Sequence, residues 1–306
     1  MATPIENGEY SAQQSVPSLS SNQALLVVIV GPTASGKSGL VMELAHMFNG
    51  EIICADSRTV YKNMDIGTAK PSINDQATVL HWGLDLVEPG EVFTAADFKK
   101  YALLKIQQVR ERGHVPFMVG GTGLYVDGVL FDYQFGQPQP ELRKQLEALS
   151  LEELKQHCAN NNVVLPENEN NRRYVMRAIE QKSINSKRLR SPIDNVVIVG
   201  ITTERDELRR RIQSRAEQLF ENGMLEEAVK LGETYGWDSE AMTGNIYKLV
   251  RRYVDGELTL DELKQANFYA DWRLAKGQLT YLKRNPYIKW LSLDEARVYI
   301  SSVLKR

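Results

Sequence analysis

Residues 31–38 read Gly31-Pro32-Thr33-Ala34-Ser35-Gly36-Lys37-Ser38, the complete phosphate-cradling pattern G-x-x-x-x-G-K-S/T. The flanking sequence suits it. An apolar run from Ala24 to Val30 precedes the loop and reads as a buried strand, and Leu40, Val41, Leu44, Ala45, Met47 and Phe48 follow at helical spacing. A strand, this loop and a helix in that order restrict the chain to an α/β fold with a P-loop parallel-sheet core flanked by helices. The glycines let backbone N–H groups close on an anion, and the helix N-terminus adds partial positive charge. Lys37 supplies a full charge, and the Ser38 hydroxyl is placed to hold Mg²⁺. The pattern therefore specifies a phosphate ligand and leaves open which one.

The rest of the chain narrows the choice. Its 306 residues carry a net charge of −2, so any nucleic-acid surface must be a local patch. Cys54 and Cys158 are far apart and have no metal-site spacing, which reads as two free thiols in a reducing compartment. No apolar run approaches membrane-spanning length. Residues 1–22 are rich in Ser, Gln and Asn, contain no Lys or Arg, and have neither secretory nor mitochondrial targeting character. They read as a disordered tail, and the protein as cytoplasmic and monomeric.

Four apolar runs read as parallel strands buried on both faces: Ala24–Val30, Glu51–Ala55, Val115–Val119 and Val196–Ile201. Helical patterns separate them, with capping-box starts at Thr94–Asp97, Ser150–Glu153 and Thr259–Glu262. The strand–helix alternation breaks between about Gly128 and Asp194, where no good strand pattern occurs. The expected layout is a core of residues 23–127 and 195–306, interrupted by a helical insertion at 128–194. Ligands should sit at the carboxyl ends of the strands.

Two constellations fall at such places, and two more stand on helical patterns. The second strand runs into Asp56-Ser57-Arg58-Thr59, beside the phosphate loop in a doubly wound sheet. A carboxylate there could hold Mg²⁺, accept a proton, or simply cap a helix. The third strand ends in Gly120-Gly121-Thr122-Gly123, whose glycines permit close approach and whose Thr122 offers a hydroxyl. On a helical wheel with Leu208 at zero, Ile212 falls at about 40°, Leu219 at about 20° and Arg215 at about −20°. Arg215 thus points along the apolar stripe and needs an anionic partner, with Arg211 on the shoulder of the same face. Between Arg172 and Arg190 seven basic residues stand against Glu180 alone, an excess of six positive charges. Tyr174 among them could stack on a base, so this run is the candidate phosphate-backbone contact. The four histidines, His46, His81, His114 and His157, form no metal-ligand pattern.

Taken in order, these motifs resemble the tRNA dimethylallyltransferase (tRNA isopentenyltransferase) family. The resemblance rests on Gly31–Ser38, the stretch from Asp56 to Pro71, Phe93–Phe98, Gly120–Tyr125, Asn171–Glu180, the Arg211, Arg215 and Gly223 spacing, Tyr247-Lys248 and Ala275–Thr280. It runs from about Leu25 to Trp290, and the Asp56–Pro71 stretch is its most family-specific part.

The resemblance implies transfer of a dimethylallyl group from dimethylallyl diphosphate to N6 of the adenosine on the 3′ side of the anticodon, in tRNAs reading codons that begin with U. It implies Asp56 as general base, with Lys37, Thr122 and Arg215 as the other catalytic groups. The loop Gly31–Ser38 would hold the donor diphosphate, with Mg²⁺ through Ser38. The anticodon stem-loop would meet Asp56, Ser57, Arg58, Thr59, Thr122, Lys144, Arg173, Tyr174, Val175, Met176 and Arg177. Thr59 stands where many members have Gln, Tyr174 where Arg is frequent, Ile246 where Gly precedes the Tyr-Lys pair, and Gly277 where Arg is usual. Two other readings share the phosphate loop: an adenylate isopentenyltransferase with a free nucleotide acceptor, and a nucleoside-phosphate kinase.

Overall fold

The computed structural model describes residues 24–136, 139–166, 168–181 and 188–305. The expected tail at 1–22 and the basic residues Lys182 and Lys187 lie outside the described residues. The first half of the chain builds β1 (Leu26–Val30), α1 (Lys37–Met47), β2 (Gly50–Cys54), α2 (Ile73–Thr78), β3 (His81–Trp82), α3 (Ala95–Glu111), β4 (Val115–Gly120) and α4 (Gly123–Leu130). Three helices follow: α5 (Pro140–Glu147), α6 (Leu151–Asn160) and α7 (Arg172–Gln181). The remainder is β5 (Val196–Ile201), α8 (Arg205–Glu221), α9 (Met224–Tyr235), α10 (Asn245–Val254), α11 (Leu260–Leu282), β6 (Lys289–Leu291) and α12 (Leu293–Leu304).

The strands form one parallel sheet in the order β3-β2-β4-β1-β5-β6. β1 lies between β4 and β5, with Val27 opposite both Phe117 and Val197. Its side chains alternate between the two faces, which is why the run must be apolar throughout. Leu26, Val28 and Val30 pack with α3 and α4 on one side. Val27 and Ile29 pack with α1 and α12 on the other. The four strands read from the sequence are the four inner ones, β2, β4, β1 and β5. The two edge strands, β3 and β6, are only two and three residues long and carry no apolar run to betray them.

A second packing centre forms where the chain leaves β2. Val60, Tyr61 and Met64 close against Leu219 of α8, Met224, Ala228 and Leu231 of α9, and Ile246, Tyr247 and Val250 of α10. Two polar clamps fix the intervening loop. The Glu227 carboxylate accepts the N–H groups of Asp65, Ile66 and Gly67 at 2.7–2.9 Å and the Tyr247 hydroxyl at 2.8 Å. The Lys70 ammonium, almost wholly buried, reaches the Asp65 and Asp85 carboxylates at 2.6 Å and donates to the Tyr61 carbonyl. Part of the Asp56–Pro71 stretch is therefore anchored from outside it, by Glu227 of α9 and by Asp85 through Lys70.

Among the described residues no strand occurs between 128 and 194. α5, α6 and α7 enclose a small core of Leu146, Leu154, Cys158, Val175, Met176 and Ile179. The excursion begins slightly later than its sequence boundary, since Val129 and Leu130 still pack against the sheet. Its neck is closed where the N–H groups of Leu189 and Ile193 donate to the carbonyls of Phe131 and Leu130, each at 2.8 Å. Both cysteines are free and buried. No described helix is long and apolar enough to cross a membrane.

Candidate active site

The loop after β1 turns sharply into α1. Gly36 caps α1 at φ 88°, in the left-handed region that favours glycine, and Ala34 sits at φ 61°. Gly31, Pro32 and Ser35 are buried beneath the loop and shape it, whereas Thr33, Lys37 and Ser38 line a cleft of about 660 Å³ at the carboxyl end of the sheet. Two later helices brace the loop. The Arg215 guanidinium donates to the Thr33 hydroxyl at 2.6 Å, and the Thr33 N–H donates to the Gln278 carboxamide oxygen at 2.8 Å. Arg211 instead bonds Glu207 and the Ser35 carbonyl, away from the cleft lining.

The Lys37 ammonium donates to the Pro32 carbonyl at 3.0 Å. Desolvation by the surrounding protein is the main cause that brings its pKa down to about 8; Asp56 pulls it up and Arg215 pushes it further down. Lys37, Asp56 and Arg215 are thus electrostatically coupled within one cleft. The Arg215 Nε is buried without a hydrogen-bond partner among the described residues, a donor left over for a ligand.

Asp56 stands two residues beyond the end of β2. Its Oδ1 accepts the N–H of Arg58 at 2.8 Å, a local turn that holds the carboxylate in place. The next N–H, of Ser57, donates to the Thr122 hydroxyl at 3.1 Å, tying this turn to the one after β4. The close approach permitted by Gly120, Gly121 and Gly123 is made by protein. A Cβ at these positions would stand 2.0 Å from the Ala55 carbonyl oxygen, 2.4 Å from Gln278 Nε2 and 2.2 Å from the Tyr281 ring, respectively. Glycine there lets β2 and α11 close around Thr122, which lines the cleft with Asp56.

The remaining sequence-predicted contacts divide. Arg58 lines the cleft but spends its guanidinium on the Glu240 carbonyl and the Thr243 hydroxyl, at 3.3 and 3.2 Å. Thr59 is buried at 5% exposure and also lines the cleft. Lys144, Arg173, Tyr174 and Arg177 are exposed on α5 and α7. Val175 and Met176 require a correction: at 0% and 3% exposure their side chains fill the core of the insertion and are closed to RNA. They orient the outward residues on either side of them. Arg172 also leaves the basic surface, because its guanidinium satisfies the carbonyls of Leu146, Glu147 and Leu149 at the end of α5.

One wall of the cleft is built by residues to which the sequence assigns no site role. Asn267, Asp271, Leu274 and Gln278 of α11 all line it. Burial is the first cause raising the Asp271 pKa, with Arg215 opposing it. A wheel drawn for α11, as for the helix of Arg215, contains the signal. With Leu263 at zero, Asn267 falls at about 40°, Leu274 at about 20° and Gln278 at about 60°, polar groups on a stripe otherwise apolar.

Comparisons with known proteins agree with this architecture. A family profile described as IPP transferase matches residues 59–285. The tRNA dimethylallyltransferase of Bacillus velezensis is 35% identical over 284 residues, covering 88% of this chain and 90% of the relative. That of Acetivibrio thermocellus is 37% identical over 289 residues, covering 88% and 92%. Among solved structures, the full-length tRNA isopentenylpyrophosphate transferase of Bacillus halodurans is 35% identical with a TM-score of 0.71, covering 92% of this chain and 97% of that one. A eukaryotic dimethylallyltransferase acting on tRNA shares the fold at 21% identity, with a TM-score of 0.74 over 88% of this chain and 74% of that one.

Proposed function

The chain belongs to the IPP transferase family, and we propose that it transfers a dimethylallyl group from dimethylallyl diphosphate to N6 of the adenosine next to the anticodon, on its 3′ side, in tRNAs reading codons that begin with U. The observation that carries the reading is a single cleft lined by Lys37, Asp56, Thr122 and Arg215. One side of such a cleft grips a diphosphate and the other offers a carboxylate.

The donor diphosphate rests in the loop Gly31–Ser38, against the N-terminus of α1. The adenosine leaves the anticodon-loop stack to enter the cleft, as enzymes that act on a base require. N6 forms a bond to C1 of the allyl group as the C1–O bond to diphosphate breaks. The N6 proton passes to the Asp56 carboxylate, and the electron pair of the broken bond leaves with the diphosphate. Lys37, Arg215 and the loop amides stabilise the growing charge on that leaving group, the main electrostatic task. The Ser38 hydroxyl, exposed at the start of α1, together with diphosphate oxygens and water, is the kind of donor set that Mg²⁺ takes. Bound there, Mg²⁺ would add charge neutralisation at the leaving group.

Lys144, Arg173, Tyr174 and Arg177 form the outlying contact with the anticodon stem-loop. A single chain carries every group the reaction needs, which suits a monomer. The test is prenyl transfer from labelled dimethylallyl diphosphate to an anticodon stem-loop and to AMP, read by nucleoside mass spectrometry. Isopentenyladenosine in the stem-loop is expected. Transfer to AMP alone, or ATP turnover with no response to the prenyl donor, would refute the reading.

A further inference from the structure

Asn267 is 0% exposed, and among the described residues neither Nδ2 nor Oδ1 of its carboxamide has a hydrogen-bond partner. A residue needed at this point only for packing would be apolar, since a buried unpaired amide is costly. Asn267 is one of the residues that line the same cleft as Lys37, Asp56 and Arg215. Asp271 stands one helical turn on, along the same wall of α11. Thr59, from the loop after β2, brings a second buried polar side chain to this cleft, a hydroxyl without a partner among the described residues.

The chemistry of the orphaned group limits what can satisfy it. A carboxamide presents a donating NH₂ group and an accepting oxygen side by side. The ligand group that complements it is an edge with an acceptor beside a donor, and adenine has two: N6 with N7, and N6 with N1. Pairing of Asn with adenine is an established mode of base reading. A diphosphate offers only acceptors, and a dimethylallyl tail offers neither. Of the donor and the acceptor base, it is the adenine edge that satisfies both atoms of Asn267 at once. We infer that Asn267 is a specificity-determining residue that reads the acceptor adenine, Oδ1 taking one N6 hydrogen and Nδ2 donating to the adjacent ring nitrogen. The second N6 hydrogen remains for Asp56. This rests on the prenyl-transfer reading above and adds to it the group that recognises the base.

The test compares kcat/KM for three anticodon stem-loops, bearing adenosine, 7-deazaadenosine or 1-deazaadenosine at the acceptor position, with wild type and Asn267→Leu. Wild type should lose roughly 5- to 100-fold on one of the two analogues. Asn267→Leu should show a loss of that size on adenosine and no further loss on the analogue. Asn267→Asp, which keeps an acceptor but has no donor, should likewise lose the discrimination and serves if the Leu variant does not fold. Equal acceptance of all three bases by wild type would overturn the inference. So would an undiminished analogue penalty in the variants, or a uniform loss on all three substrates accompanied by a lower Tm. Wild type that prenylates no stem-loop would instead overturn the functional reading itself.

Discussion

From about pH 7 to pH 9 the affinity of this protein for a diphosphate donor analogue should fall, because Lys37 discharges in that interval. Its pKa is lowered to about 8, first by desolvation. A base with a depressed pKa is charged below that value and neutral above it. About nine-tenths of the free protein therefore carries the ammonium at pH 7, and about one-tenth at pH 9. A bound diphosphate favours the charged form and raises the pKa, so binding takes up a proton above pH 8. The affinity then drops by up to roughly tenfold per pH unit until the pKa of the complex is reached. The neighbours set the sign of two further shifts. Asp56 raises the Lys37 pKa, so Asp56→Asn should move the break to lower pH; Arg215 lowers it, so Arg215→Gln should move it higher. Isothermal titration of a non-reactive thiolo-diphosphate analogue, in buffers of differing ionisation enthalpy, measures both affinity and proton uptake. Lys37→Arg keeps its charge throughout and should lose the pH dependence, whatever its absolute affinity. A wild-type affinity that stays flat to about pH 10, or the same slope in Lys37→Arg, would refute the argument.

Two other perturbations separate structural from functional groups. Glu227→Ala removes the acceptor of three loop N–H groups and the Tyr247 hydroxyl. It should cost about 2–4 kcal/mol in chemical denaturation and slow turnover by loosening the loop behind Asp56, and unchanged stability would show that the clamp is idle. Arg173→Glu with Arg177→Glu should weaken stem-loop binding and make its log–log salt slope shallower by roughly two, while Arg172→Leu should lower Tm and leave that slope unchanged. The reverse pattern would return Arg172 to the RNA surface.

The parts of the fold that could be read from the sequence are those in which a single local pattern decides the outcome. β1 had to be apolar at every position, because its side chains feed two cores at once. The helix starts at Thr94, Ser150 and Thr259 were visible because each closes its capping box within four residues. β3 and β6 escaped because an edge strand of two or three residues gains its place from its neighbour rather than from its own pattern. The site was partly legible for the same reason. The wheel placed Arg215 on a buried stripe, but its partner Thr33 lies 182 residues away and follows only from the fold. Val175 and Met176 entered the expected RNA contacts through the resemblance of their whole segment, although together with Ile179 they have the spacing of a buried helix face. Arg172 looked like one more surface charge because carbonyls at the end of another helix leave no mark in composition. Asn267 lies on the buried stripe of a different helix, α11, where an uncharged side chain leaves no mark in the charge pattern.

In the proposed reaction one cleft sets the loop Gly31–Ser38, which holds the diphosphate, beside the Asp56 carboxylate, which takes the N6 proton. Single-turnover prenyl transfer by Asp56→Asn, measured alongside its stem-loop affinity, tests this most directly. The rate should fall by about 10²–10⁴-fold while the stem-loop Kd changes by no more than about threefold. A rate near that of wild type, or a loss of activity matched by an equal loss of binding, would contradict it.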